Sequence, residues 1–391
     1  MKGRVYLDHN ATTPLRPEAR AAMVAAMDVP GNPSSVHAEG RAAKGLLERA
    51  RAQVAALVGC APNQVIFTGS ATEAAALAVA QKARHGGVFA ALPTEHDCLR
   101  VWSEVDLPAL VDAQGALSDA AVEEVSDRLT QSAGEAGRAA GALVAISAAN
   151  SETGVMMPEG CVVPDRFGQG ARADTHACAV VCDITQVAGK VPVRFGPQGR
   201  PSYMILSAHK LGGPKGVGAL INFTPDDPRA MIRGGGQEMG QRSGTENIVG
   251  IAGFGAAAEA AQRDLAAGRW EKIAELRKIL ENALAAAAKT TIFVGKEATR
   301  LPNTSCFATP GWKGEAQVIQ MDLAGFAVSA GSACSSGKVR ASTVLQAMGY
   351  DDETAACAIR VSLGLETTQE DVLRFAEAWL KREQKFRARA A

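Results

Sequence analysis

The residues best placed for chemistry are polar side chains that close apolar runs. Lys210 lies in Leu206-Ser-Ala-His-Lys-Leu-Gly-Gly-Pro-Lys-Gly216, where the strand-like run Tyr203–Leu206 meets glycines and a proline that stop regular structure. A lysine on such a turn, flanked by Ser207 and His209, projects into a crevice or into water. Desolvated, it loses proton affinity and becomes an amine nucleophile; solvated, it is an ordinary surface lysine. Cys334 sits among small residues in Ser329-Ala-Gly-Ser-Ala-Cys-Ser-Ser-Gly337, which leaves its sulfur open to attack on a substrate. A lone cysteine is otherwise core filler.

Phe67-Thr-Gly-Ser-Ala-Thr-Glu73 passes from a strand through Gly69 and Ser70 into an alanine-rich helix. Free N–H groups and the positive end of the helix dipole converge there, which suits a phosphate, although Ser70 or Thr72 with Glu73 also reads as a plain N-cap. Arg233-Gly-Gly-Gly236 and Gln241-Arg-Ser-Gly-Thr-Glu-Asn247 offer flexible donors for an anion or form a surface hairpin loop.

Six strand-like runs position these groups: Gln64–Thr68, Val88–Ala91, Ala142–Ala148, Ala179–Asp183, Met204–Ser207 and Gly218–Ile221. Most end on polar residues and alternate with helical or irregular stretches, the pattern of a mostly parallel, doubly wound sheet. Ligands bind such sheets beyond the strands' carboxyl ends, so His96, Asn150, Asp183, Gln186 and Lys210 are expected to converge. Helices are expected over 17–27, 42–58, 248–267, 270–288 and 369–386. Surface loops are expected over 131–141 and 168–174. Strand-like runs at 301–307, 325–329 and 358–362 suggest a second, smaller unit, with basic residues closing the last helix.

The chain of 391 residues is long enough for about two domains. Its 41 Lys+Arg balance 41 Asp+Glu, so no global field favours nucleic acid or an acidic membrane. Aromatic residues make up only 5%, giving no sign of base-stacking platforms. No run reaches the roughly 18 apolar residues of a membrane span, and the N-terminus has no signal-peptide core. The eight cysteines lack paired zinc spacing and read as reduced thiols, which fits a cytoplasmic enzyme.

Taken together the motifs resemble the cysteine desulfurases of the NifS/IscS-like branch, in the class V aminotransferase group of fold-type I pyridoxal-phosphate enzymes. The pieces are Tyr6-Leu-Asp-His-Asn-Ala-Thr-Thr-Pro14, Gly31-Asn-Pro33, Phe67–Glu73, Thr94-Glu-His96, Asn150-x-Glu152 and Asp183-x-Thr-Gln186. Ser207-Ala-His-Lys210, Gly213-Pro-Lys-Gly216, Arg242-Ser-Gly-Thr245, Gly331-Ser-Ala-Cys334 and Ile359-Arg-Val-Ser-Leu-Gly364 complete the set in the family's order. The resemblance implies an α/β fold: a mostly parallel sheet flanked by helices in a large cofactor-binding domain (15–255), plus a smaller α+β domain (1–14 and 256–391) carrying the Cys334 loop.

It also implies roles. Lys210 bonds to the aldehyde of pyridoxal 5'-phosphate, Asp183 pairs with the ring nitrogen, and His96 stacks on the ring. Gln186 and Asn150 reach the phenolic oxygen. Ala71, Thr72, Ser207 and His209 hold the phosphate, with Thr245 supplied across a homodimer. Arg360 clamps the substrate carboxylate, with Asn32 a lesser candidate. L-cysteine is then converted to L-alanine, leaving a persulfide on Cys334 for an acceptor protein such as an iron–sulfur scaffold. No resident metal is implied, Cys334 being the one candidate for transient iron–sulfur ligation.

The departures concern the acceptor. Asn150-Ser-Glu replaces the usual Asn-Asn-Glu, Gly337-Lys-Val-Arg-Ala-Ser342 lacks the Leu-Glu-Pro-Ser of housekeeping members, region 159–179 is longer, and the chain stops soon after its last helix. The rival readings are a selenocysteine lyase, another class V lyase or transaminase, and a silent sulfur-relay scaffold.

Overall fold

The computed structural model describes residues 3–116, 118–135, 142–157, 178–193, 200–331 and 341–390. Its strands, in chain order, are β1 (Val5–Tyr6), β2 (Val65–Thr68), β3 (Phe89–Ala91), β4 (Leu143–Ser147), β5 (Ala179–Asp183), β6 (Tyr203–Ser207), β7 (Gly218–Asn222), β8 (Ile292–Phe293), β9 (Thr304–Ala308), β10 (Phe326–Ala327), β11 (Ser329–Ala330) and β12 (Ala358–Ser362).

Six of them form one sheet in the order β2-β7-β6-β5-β4-β3. Pairings among β6, β5, β4 and β3 are parallel, whereas β7 is antiparallel to both of its neighbours. The strands are apolar on both faces because both faces are covered. Met204, Leu206 and Ile221 pack with Leu47, Val54 and Phe254 on one side. Tyr203, Ile205 and Leu220 alternate onto the other side, against Ile66, Leu77 and Phe89. The two-residue period of β6 thus feeds two cores, each full burial of such a side chain contributing about 1.5–3 kcal/mol.

Register sets the site. Ser147 pairs with Asp183, Asp183 with Ile205, and Ser207 and Thr68 both pair with Gly218. The carboxyl ends of β2, β4, β5 and β6 therefore lie along one edge, as the sequence pattern suggests.

A four-stranded antiparallel sheet, β11-β12-β9-β8, builds a separate core of Phe307, Trp312, Ile359, Val361, Phe375 and Trp379. The N-terminal arm joins this half: β1 pairs with β10, and Asp8 bridges to Ser362. Leu265, near the end of the helix Ile248–Ala266, packs against both the larger and the smaller core.

Helices Pro17–Met27 and Ile248–Ala266 meet the sequence expectation within a residue. The second helix starts earlier than expected, at Ala38, because His37 caps it: its Nδ1 accepts the Gly40 N–H at 3.3 Å. Residues 131–135, expected in a loop, continue the helix Asp119–Glu135. Val125 and Leu129 are buried on that helix, and their stripe outweighs the loop-like Ser-Ala-Gly composition. The strand expected from Leu301 begins only at Thr304, after a turn at Pro302 and Asn303. The last helix runs to Ala390 rather than stopping near Phe386. The loop expected at 168–174 lies outside the described residues. No described helix is long and apolar enough to cross a membrane.

Candidate active site

Lys210 ends a short 3-10 turn, Ala208–Lys210, that continues β6. Its half-buried Nζ donates to the carbonyls of Asn10 (2.7 Å) and Ala11 (2.8 Å), and Thr13 Oγ1 donates back to the Lys210 carbonyl at 3.0 Å. The amine is thus held by the N-terminal arm, not pointed into bulk water.

Asp183 is buried at the end of β5, and its Oδ1 accepts the Thr185 N–H at 2.8 Å. Three residues on, buried Gln186 donates Nε2 to the Asn10 carbonyl (3.0 Å) and accepts the Lys190 Nζ on Oε1 (2.8 Å). The Asn10 carbonyl therefore receives both Gln186 and Lys210, which ties the ends of β5 and β6 to one backbone atom.

His96 caps the helical turn Asp97–Arg100, with Nδ1 accepting the Cys98 N–H at 3.1 Å. An accepting Nδ1 places the proton of the neutral ring on Nε2. Asn150 holds the same loop: its Nδ2 donates to Thr94 O at 2.9 Å, and its Oδ1 accepts the Glu152 and Thr153 N–H groups, each at 2.9 Å. In this chain the Asn150 amide is committed to fixing the backbone on either side of the site.

Ser70, with ordinary extended backbone, caps the helix Ala71–Val79, its Oγ accepting the Glu73 N–H at 3.2 Å. Glu73 answers with Oε2 on the Gly69 N–H (2.7 Å), and Arg242 donates to Glu73 Oε1 (2.8 Å). The capping reading and the anion-site reading are compatible, because the cap uses the Glu73 N–H and leaves the helix's positive end directed past Ala71 and Thr72. The helix start sits tight on the sheet: a Cβ on Gly218 would meet Ser70 C at 2.5 Å and Ala71 N at 2.8 Å. Gly218 pairs with Ser207, so Ser207, Ala71 and Thr72 share one corner. His209 joins from the next turn, its Nδ1 3.1 Å from Thr12 Oγ1. Burial, with Lys210 and Lys215 beside it, pushes the His209 imidazole down to about 4, so the ring is neutral near pH 7.

Arg360 lies within β12 with its guanidinium buried. Nη1 donates to Ser151 O (2.9 Å) and Nη2 to Asp8 Oδ1 (2.8 Å), while Nε has no partner among the described residues. Asn32 and Thr245 are exposed, and Asn32 Oδ1 accepts the Ser34 N–H at 2.9 Å. Cys334 lies outside the described residues.

Several site residues carry no individual sequence signal. Asn10 is 1% exposed and also gives Nδ2 to Thr304 Oγ1 (2.8 Å) and Ser151 O (3.2 Å). Lys190 is buried and bound to Gln186 and Asn10. Glu95 is buried beside His96 and accepts the Ser147 N–H at 2.8 Å. Burial, with Asp183 adding to it, pushes the Glu95 carboxyl up to about 7, against the lowering effect of the Ser147 hydrogen bonds. Asn10 and Glu95 lie within the Tyr6–Pro14 and Thr94–His96 motifs, and for Lys190 the available clue was a charged residue inside the apolar run Val187-Ala-Gly-Lys-Val-Pro-Val193.

Residues 5–375 match the family model for aminotransferase class-V. A cysteine desulfurase of Klebsiella pneumoniae is 37% identical, the alignment covering 94% of this chain and 90% of that protein. One from a Frankia strain is 38% identical, covering 94% and 88% respectively. The solved structure of a NifS-like protein from Rickettsia africae superposes with a TM-score of 0.82 at 30% identity, over 97% of this chain and 99% of that one. With the lysine, aspartate and histidine set at the strand ends, these likenesses agree on one assignment: the chain belongs to the class-V aminotransferase family, on the fold-type I scaffold, among the cysteine desulfurases.

Proposed function

We propose that the protein is a pyridoxal-phosphate-dependent cysteine desulfurase that moves the sulfur of L-cysteine onto Cys334 and releases L-alanine. The observation that carries this reading is Lys210, an amine sequestered by two arm carbonyls at the same sheet edge as Asp183.

The residues present fit the cofactor. Thr185 Oγ1, next to Asp183, is buried without a partner among the described residues, so a polar group has a place there. Lys210 suits the aldehyde, Asp183 the ring nitrogen, His96 the ring face and Gln186 the phenolic oxygen. Ala71, Thr72, Ser207 and His209 suit the phosphate, and a neutral His209 binds it as a hydrogen-bond donor. When bound, pyridoxal phosphate supplies an aldehyde that joins amines and a ring that accepts a carbanion's electrons.

The chain's own groups do the rest. Asp183 keeps a proton on the ring nitrogen. Lys210, once its amine is free of the aldehyde, would take the Cα proton as general base. Arg360 holds the substrate carboxylate and so fixes which Cα bond faces Lys210. The Cys334 thiolate would attack the substrate sulfur: an S–S bond forms, the C–S bond breaks with its electron pair left on Cβ, Cβ takes up a proton, and Lys210 returns a proton to Cα to complete alanine.

The same reading gives the chain a large unit (15–255) and a small one (1–14 and 256–391), supported by the separate cores of the two sheets. It makes the protein a homodimer. Thr245 is exposed next to a segment with Met231, Ile232 and Met239 also exposed, as suits a surface covered by a second copy whose phosphate Thr245 reaches. Cytoplasmic location and delivery of sulfur to an acceptor protein, as in iron–sulfur cluster assembly, belong to this reading.

Cys334→Ser tests it. The variant should keep the visible absorption of the lysine-bound cofactor and lose catalytic sulfide release from L-cysteine under reductant. A serine variant that still desulfurates over many turnovers removes Cys334 from the mechanism.

A further inference from the structure

Lys190 is an amine with no role in the proposed reaction, yet it is 2% exposed beside the site. Its Nζ reaches two side-chain amide oxygens, Gln186 Oε1 at 2.8 Å and Asn10 Oδ1 at 3.2 Å. The charged groups that face it are cations, Lys210 and Arg360, and burial with those two charges holds its proton affinity well below the ordinary lysine range. Two amide oxygens, from Gln186 and Asn10, receive its N–H groups.

A side-chain amide can bind in either of two orientations, and a neighbour that donates to it, as Lys190 does here, selects the one with oxygen turned inward. With oxygen turned to Lys190, Gln186 must present Nε2 on the opposite side, where it donates to the Asn10 carbonyl at 3.0 Å. The same selection fixes Asn10. Its Oδ1 also takes the Asn303 Nδ2 at 3.1 Å, and its Nδ2 goes to Thr304 Oγ1 and Ser151 O. The Asn10 carbonyl so placed is one of the two that grip Lys210 Nζ.

We propose that Lys190 is a positioning residue: it locks the Gln186 and Asn10 amides so that Gln186 offers an N–H to the phenolic oxygen of pyridoxal phosphate and Asn10 offers its carbonyl to Lys210. The inference rests on the cofactor assignment above, but not on the sulfur chemistry of Cys334.

The test uses the cofactor-loaded full chain and reads cofactor dissociation and the visible absorption maximum. Lys190→Met keeps the length of the stem and removes both donors. It should weaken pyridoxal phosphate about tenfold or more, as expected for the loss of a hydrogen bond to a charged oxygen, and move the absorption maximum. In a Gln186→Leu background the same substitution should change the affinity less than about twofold, because the two residues act as one unit. Lys190→Gln retains an uncharged N–H donor on a shorter stem and should recover most of the affinity; it also serves as the test if the methionine variant does not fold. Equal losses from Lys190→Met with and without Gln186, or a Lys190→Gln variant no better than Lys190→Met, overturn the inference. A parent protein that takes up no pyridoxal phosphate sinks the functional reading and this inference with it, and is recognised before any variant is compared.

Discussion

Asp8 occupies the guanidinium that the proposed substrate needs. Its Oδ1 lies 2.8 Å from Arg360 Nη2, with side chains 17% and 5% exposed, so the pair is in the buried regime where losing a partner is expensive. Asp8→Asn keeps an oxygen acceptor at that position and removes only the charge. The expected loss of folding stability is therefore about 2 kcal/mol, below the roughly 3–5 kcal/mol for leaving a buried charge without any partner. Ligand binding moves the other way. A substrate carboxylate on the same guanidinium lies roughly 6 Å from Asp8, a repulsion of about 3 kcal/mol at an effective dielectric of about 20. Even if a third of that survives relaxation, affinity for a carboxylate ligand rises about fivefold. The assay is twofold: urea unfolding of the cofactor-free protein, and titration of the loaded protein with L-alanine, which carries the carboxylate but no sulfur. A variant that is less stable yet binds L-alanine more tightly fits the argument. Unchanged or weaker L-alanine binding refutes it, and would mean that Asp8 cooperates with the ligand or that Arg360 is not the clamp.

Two further perturbations follow from the same geometry. Burial raises the folded-state Glu95 carboxyl from 4.5 to about 7, so the native state binds the extra proton and stability falls as pH rises through that window. Glu95→Gln should flatten the decline, about 3 kcal/mol between pH 5 and 8, in unfolding free energies measured across that range, and an unaltered slope would show that Glu95 does not cause it. Gly218→Ala would drive a Cβ against backbone at Ser70, Ala71 and Leu206, 2.5–2.8 Å away, with no flexible side chain to yield. It should cost about 1–3 kcal/mol of stability and weaken phosphate and pyridoxal-phosphate binding together; a variant with parental binding would show that the helix start need not lie so close to Ser207.

The large sheet was legible because each of its strands is an apolar run ending in polar residues, and β5 falls at its expected bounds. Strand direction was not. Gly218–Asn222 is as apolar as its neighbours, and nothing in such a run says that it runs opposite to them. The helix over 131–135 was missed for a related reason: its buried stripe at Val125 and Leu129 lies upstream of the Ser-Ala-Gly stretch that suggested a loop. Arg360 was legible through the family resemblance alone, and its place inside a buried strand, where a guanidinium demands partners, came only from the structure; Asn32 and Thr245, legible the same way, are exposed.

The Tyr6–Pro14 motif marks the N-terminal arm, but the arm's contacts with Gln186 and the two lysines were not legible, and the reason is physical. Asp8, His9 and Asn10 are short polar residues in an extended stretch, a composition typical of solvated coil. They become site residues only because β1 pairs with β10 and Asp8 bridges to Ser362, which lays the arm against both sheets. Asn10 then bonds to Lys210 and Gln186 on the larger sheet side, and to Asn303, Thr304 and Ser362 on the smaller. His9 is packed so closely that a Cβ on Gly364 would fall 2.0 Å from its ring, and burial, with Lys190 adding to it, pushes the imidazole down to about 4. A lysine read in isolation is a solvated charge. Lys190 and Lys210 are held at this junction by carbonyl and amide oxygens that arrive from about two hundred residues away in sequence, so their chemistry is set by the closing of the arm. No local pattern around either lysine contains that information.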